Sequence, residues 1–363
     1  MSSPLLHLPG AIEAEALGVA EHYGHPLAES RALEEGRAIV DLSHEGILKV
    51  TGADRLTWLH SMTSQRLDNL KPGESTETLV LNPQGRIEVS VGVVDDGEAT
   101  WLLTSAAGVK GLQEFLLKMR FAMRVEVSDE SETFAQVLTF SEDIAKKIAA
   151  AVTIAAQWID PWAEVLPGGY QYAKGGSYLW TARRLLIARD QLSNLYKLVR
   201  EGEFGVAGLS SLAALEVRAW RPTMADVDER TIPHELDWMR TAVHLNKGCY
   251  RGQETVAKVH NLGRPPRRLV MLHLDGADAE MPAPGALIYV EGDETKPVGR
   301  VTRAALHHDW GPIALGLLKR NTVADCRFSV ALPSGAFCVA EQEVIVPPDA
   351  GASNVVPRIP RLK

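Results

Sequence analysis

Lys247-Gly248-Cys249-Tyr250-Arg251-Gly252-Gln253-Glu254, or KGCYRGQE, is the stretch on which the reading of this chain turns. Three cysteines occur in 363 residues, and Cys249 stands between glycines, an aromatic ring and charged side chains. Three readings are open for it: a working thiol, a metal ligand, or a small hydrophobe beside a turn. The residues GQETVAKV have the composition of a helix start, with Gly252 as a permissive first residue, Glu254 in the first turn and Lys258 one turn on. Cys249 then falls just upstream of a helix N-terminus, between Lys247 and Arg251, a setting in which N–H groups and cations favour a thiolate. Glycines on both sides keep the approach to sulfur open. A buried structural cysteine accounts for the stretch equally well on these grounds.

Neighbouring motifs exclude several chemistries. A phosphate-binding loop needs wider glycine spacing than Gly248 and Gly252 provide, and a lysine before Thr255. His234-Glu235 is not followed by the second histidine of a zincin. No C-x-x-C pair is present for zinc or for a fully protein-ligated iron–sulfur cluster, and no G-x-S-x-G elbow for an esterase. His307-His308-Asp309 reads as a polar loop before a turn, and no resident metal is expected.

Further out, composition sets the class. The chain is 45% hydrophobic and 23% charged, as in globular proteins, and long enough for two or three domains. Three cysteines imply a reducing compartment, and the N-terminal residues lack the basic-then-apolar pattern of a signal peptide, so a cytoplasmic location is expected. No apolar run reaches membrane-spanning length. A net charge of −8 argues against nucleic acid as partner, and RPPRR (Arg264 to Arg268) reads as a solvated interdomain linker.

Periodicity gives the elements. Glu45 to Gln65 reads as strand, turn and helix, with Asp54 as the helix cap. Three strands follow, broken at Asn82-Pro83-Gln84-Gly85 and at Asp95-Asp96-Gly97, then an amphipathic helix over GVKGLQEFLLKMR. A second, similar stretch begins near Thr133, with strands at FAQVLTF and SYLWTARRLLIAR and helices at DQLSNLYKLVREG and GLSSLAALEVRAWR. After Pro265-Pro266, short regularly spaced strands predict a small β-barrel. The divisions are 1–35 as an N-terminal extension, 36–262 as two α+β subdomains, 263–346 as the barrel and 347–363 as a flexible tail. The class is α+β rather than a doubly wound parallel sheet.

KGCYRGQE followed by TVAKVHNLGRPPRRLV resembles the signature of the YgfZ/GcvT family of folate-binding iron–sulfur accessory proteins, relatives of the glycine-cleavage T-protein. VTGADRLTWLHSMTSQ, LNPQGRI (Leu81 to Ile87), TIPHEL (Thr231 to Leu236), VGRVTRA and GPIALGLL carry the resemblance over roughly residues 36–345. It implies a T-protein-like fold, with two related α+β subdomains around a central channel and a C-terminal β-barrel. Implied with it are tetrahydrofolate or a derivative as cofactor, Cys249 as the functional thiol, and transient partners among iron–sulfur proteins or their assembly factors. Residues implied for the cofactor are Lys247, Gly248, Tyr250, Arg251, Gly252, Gln253, Glu254, Glu235, Glu216 and Arg218. Two positions depart from the T-protein pattern. Ser90 stands where the aminomethyltransferase has its aspartate, with Glu88 expected on the same strand face. Arg218 stands where a glutamate addresses the pterin, leaving Glu216 or Glu235 to take that role. The expected function is a folate-binding accessory protein for iron–sulfur cluster assembly or repair without classical turnover. A tetrahydrofolate-dependent aminomethyltransferase is the alternative.

Overall fold

The computed structural model describes residues 2–174, 180–276 and 280–351. Ser177, Tyr178 and Leu179 of the expected SYLWTARRLLIAR strand, and residues 352–363 of the expected tail, lie outside these. The helices used below are α1 (Pro26–Glu34), α2 (Arg55–Met62), α3 (Ala106–Lys118), α4 (Glu142–Ala151), α5 (Leu192–Arg200), α6 (Leu209–Arg218), α7 (Met239–Ala242) and α8 (Gln253–Asn261). None of them is long and apolar enough to cross a membrane.

Among the described residues the strands form two five-stranded sheets, a closed barrel and a two-stranded sheet of Ile12–Glu13 with Ala20–His22. In the first sheet the spatial order is Ser75–Leu81, Ile87–Asp95, Ala99–Thr104, Gly46–Thr51, Glu126–Asp129, with every pairing antiparallel. Ala99–Thr104 is buried throughout because it has cover on both faces. Leu102 packs with Leu112 and Leu116 of α3, whereas Trp101 and Leu103 pack with Trp158 and Leu186 of the other sheet. That second sheet runs Ile154–Ile159, Arg183–Ala188, Phe134–Thr139, Ala38–Asp41, Gly205–Ala207, the last pairing being parallel. Ala38–Asp41 precedes the first sheet in the chain yet lies in the second, so the two halves interleave. Six strands between Arg267 and Val344 close the barrel. One apolar cluster joins Leu79 and Ile87 of the first sheet, Leu138 of the second, Leu212 and Leu215 of α6, and Leu269 and Ile313 of the barrel, so the three units share a core.

Three local expectations are corrected. The Asp54 side chain does not cap α2; its carboxylate accepts from the backbone and guanidinium of Arg124 instead. RPPRR is not a solvated linker, because the barrel's first strand starts within it. Arg267 is gripped by Asp228 and Glu235, and Arg268 is fully buried with donations to Thr322 and Gln342. Glu88 does not share a face with Ser90. The pairing passes from Val80↔Val89 to Leu81↔Ile87, so Glu88 is the extra residue of a β-bulge and is aimed elsewhere.

Candidate functional site

The KGCYRGQE stretch is a turn leading into α8, and three segments converge on it. Gly252 caps the helix at φ 83°, and α8 begins at Gln253. The turn rests on the LNPQGRI hairpin so closely that a Cβ on Gly252 would lie 2.6 Å from the Asn82 carbonyl oxygen and 2.9 Å from the Gly85 Cα. A Cβ on Gly85 would in turn meet Thr255 of α8 at 2.8 Å. Arg251 crosses the same contact to Glu88 at 3.0 Å and stacks on Phe115 of α3.

The third segment is the last turn of α2 and the chain that follows it. Lys247 is buried, and its ammonium donates to the carbonyls of His60, Thr63 (2.6 Å) and Gln65 (2.9 Å), with the Tyr250 ring 5.1 Å away. Burial pushes this ammonium down to about 7. Lys247 is thus a clamp on carbonyls left open in the last turn of a helix and just beyond it. Gln253 reaches back to the Lys247 carbonyl, Tyr250 is buried, and Glu254 is exposed.

Cys249 is exposed on this rigid turn, beside an exposed Gly248 whose Cα has open space around it. The cations expected to favour its thiolate have other partners, Lys247 on backbone carbonyls and Arg251 on Glu88. The thiol faces solvent rather than the interior.

A separate cavity of about 300 Å³ lies between the sheets, α6 and the barrel. Trp158, Trp180 and Trp238 contribute aromatic walls, and Ser90 and Glu216 line it. Three of its four carboxylates are held by arginines: Arg221 holds Glu77 at 2.7 Å and Asp160 at 2.9 Å, and Arg303 holds Glu216 at 2.6 Å. Burial pushes the Glu216 carboxyl up, and the Arg303 charge opposes that shift. The Trp238 indole N–H is buried without a hydrogen-bond partner.

Of the residues expected to hold a cofactor, Glu216 is the one among this cavity's lining residues. Lys247, Gly248, Tyr250, Arg251, Gly252, Gln253 and Glu254 belong to the turn just described. Glu235 is fully buried under Arg267 and accepts from the Ile232 N–H. Arg218 meets Glu34 of α1 and lies over Trp310. Sequence reasoning missed Asp160, Arg184, Arg221 and Arg303, each an ordinary charged residue until the sheets bring it to the cavity.

Among the described residues, Glu34, His307 and His308 place potential ligand atoms together. The His307 Nδ1 accepts from the Asp309 and Trp310 N–H groups, so the ring proton sits on Nε2 and occupies the lone pair a metal would need. Glu34 is moreover shared between Arg218 and His308. The cluster reads as a clasp between α1 and the barrel.

The family described as GCVT N-terminal domain matches residues 16–154. A putative chloroplastic transferase of Arabidopsis thaliana is 27% identical over 85% of the chain and 71% of its own length. An aminomethyltransferase of Nitrosococcus oceani is 26% identical over 60% of the chain and 61% of its own. A mitochondrial iron–sulfur cluster assembly factor IBA57 homolog of Mycosarcoma maydis is 25% identical over 68% and 59%. The crystal structure of the glycine cleavage system aminomethyltransferase T from Bartonella henselae superposes with a TM-score of 0.73, covering 96% of this chain and 97% of that one at 17% identity. The chain has the fold of the GcvT-like superfamily, with α+β subdomains and a closed six-stranded barrel, and is similar in sequence both to its aminomethyltransferases and to an iron–sulfur assembly factor.

Proposed function

We propose that this chain is a folate-binding accessory protein for iron–sulfur cluster assembly or repair, with Cys249 as its working thiol. The observation that carries the proposal is the exposed Cys249 on a turn braced by Gly85, Gly252 and the Lys247 clamp. A thiol held rigidly at the surface is suited to a macromolecular partner. Alone it supplies one ligand, or forms one mixed disulfide, on a partner's cluster. Similarity to the assembly factor of Mycosarcoma maydis supports the same reading. The three free cysteines are consistent with work in a reducing compartment such as the cytoplasm.

Folate enters through the cavity. Its volume lies at the lower end of the range for small-molecule sites, and tryptophan walls with an unpartnered Trp238 N–H fit a flat heteroaromatic ring with acceptors at its edge. Trp158, Trp180, Trp238 and Glu216 are the residues that would hold it. The alternative of aminomethyl transfer draws on the sequence relatives. Against it, Ser90 faces the cavity where that chemistry has an aspartate, and the bulge turns Glu88 to Arg251.

Cys249→Ser in cells under oxidative stress tests the proposal. The expected result is lowered activity of iron–sulfur enzymes with this protein's abundance unchanged. Unaltered activity in both the substituted and the deleted strain removes it.

A further inference from the structure

Of the three arginines that line the cavity, two are each matched by a pair of carboxylates. Arg221 and Arg303 each hold two carboxylates, Glu77 with Asp160 and Glu216 with Asp226. The third cavity arginine, Arg184, has a neutral partner. Its Nη1 donates to the Gln136 Oε1 at 3.1 Å, its guanidinium lies 5.4 Å from the Trp158 ring centre, and its Nε is buried without a hydrogen-bond partner.

This arginine is also oriented from behind. Gln136 is fully buried, and its amide donates to the Gly46 carbonyl at 3.1 Å, which fixes the acceptor end toward Arg184. Gly46 pairs with Thr104, and the next residue, Ser105, is the N-cap of α3, a thirteen-residue helix with no acidic residue in its first turn. Thr104 and Ser105 line the same cavity. A fixed guanidinium, a hydroxyl and the positive end of a helix are therefore linked through Gln136, Gly46 and Thr104 along the wall of the chamber. Of the nearby carboxylates, Glu216 is held by Arg303 with Arg184 also acting on its charge, and Glu45 lies 3.4 Å from the His44 ring.

We propose that Arg184, with Ser105, forms a carboxylate-binding subsite of the central cavity, which takes an anionic arm extending from a ring held by the tryptophans. The inference deepens the folate reading and rests on it for the source of the carboxylate. A planar guanidinium held at one edge, with its Nε edge unpartnered, suits a carboxylate's paired oxygens.

Calorimetry with three probes tests it: tetrahydrofolate, p-aminobenzoylglutamate (the arm without the ring) and tetrahydrobiopterin (a ring without the arm). Arg184→Gln is expected to weaken the first two by about tenfold or more and to leave the third unchanged. Ser105→Asp keeps a competent helix cap while adding a like charge, so it is expected to act in the same direction without loss of fold. Equal affinity of wild type and both variants for p-aminobenzoylglutamate, or no binding of it by wild type, overturns the subsite. Binding of p-aminobenzoylglutamate with Arg184 dependence, but no binding of tetrahydrofolate, keeps the subsite and overturns the folate reading instead.

Discussion

At the scale of the residue, Asp237, the neighbour of the cavity's Trp238, is a strongly perturbed acid. It adopts the left-handed conformation at φ 55°, is fully buried, and accepts from the backbone N–H groups of Tyr172 and Ala173 through Oδ1. Oδ2 has no hydrogen-bond partner, and the nearest cation, on Arg240, is 3.9 Å away. Burial pushes the carboxyl up from 3.8 to about 7, with Arg240 opposing. Between those values the folded chain holds a proton that the unfolded chain releases. Stability from this group is therefore full below about pH 4 and is lost as pH rises to about 7. Asparagine tolerates the same backbone and keeps the Oδ1 acceptor. Asp237→Asn is expected to melt close to wild type near pH 4 and to gain on it with rising pH, by at most about 1.4 kcal/mol per unit. Thermal melts across that range decide it. A variant less stable than wild type near pH 8 would mean that the ionised Asp237–Arg240 pair is net stabilising.

At the scale of the element, the decisive contact is turn against turn. The glycines of KGCYRGQE read in the sequence as room for sulfur, and Gly248 does provide it. Gly252 has another reason: its neighbours at 2.6 and 2.9 Å are backbone atoms of the LNPQGRI hairpin, which have no flexible end to move. Gly252→Ala therefore combines left-handed strain with a backbone clash and is expected to cost about 2 kcal/mol or more. Gly248→Ala meets nothing within 4 Å and is expected to fall within about 0.5 kcal/mol of wild type. Urea denaturation of the two side by side separates packing from access, and equal effects would remove the distinction. The same contact shows what was legible. Alternation located the strands from Ser75 to Thr104 and the regular strands of the barrel, because each pattern is local. The Glu88 bulge was hidden because it depends on the partner strand's register. Arg267 and Arg268 looked solvated because Asp228, Glu235 and Gln342 are remote in sequence. The parallel pairing of Ala38–Asp41 with Gly205–Ala207 had no local signal for the same reason.

At the scale of the whole molecule, a ladder of buried charges joins the three units around the cavity. Arg221 links Glu77 of the first sheet to Asp160 after the second sheet's edge strand, and Arg303 brings the barrel to Glu216 of α6 and to Asp226. Arg303 also donates to the Arg221 carbonyl, so the two rungs touch. This arrangement places the barrel by specific geometry, where the shared apolar core alone would tolerate sliding. A buried pair contributes little over a hydrophobic replacement of both members, yet removing one member leaves the other uncompensated. Arg303→Met strands Glu216 and Asp226 together and is expected to cost about 3–5 kcal/mol. Adding Glu216→Gln to that variant removes one stranded charge and should recover part of the loss, by a coupling that two independent sites would not show. The measurement is the urea midpoint of the single and double variants. If Arg303→Met is as stable as wild type, the barrel is held by its apolar contacts alone, and the ladder has no part in positioning it.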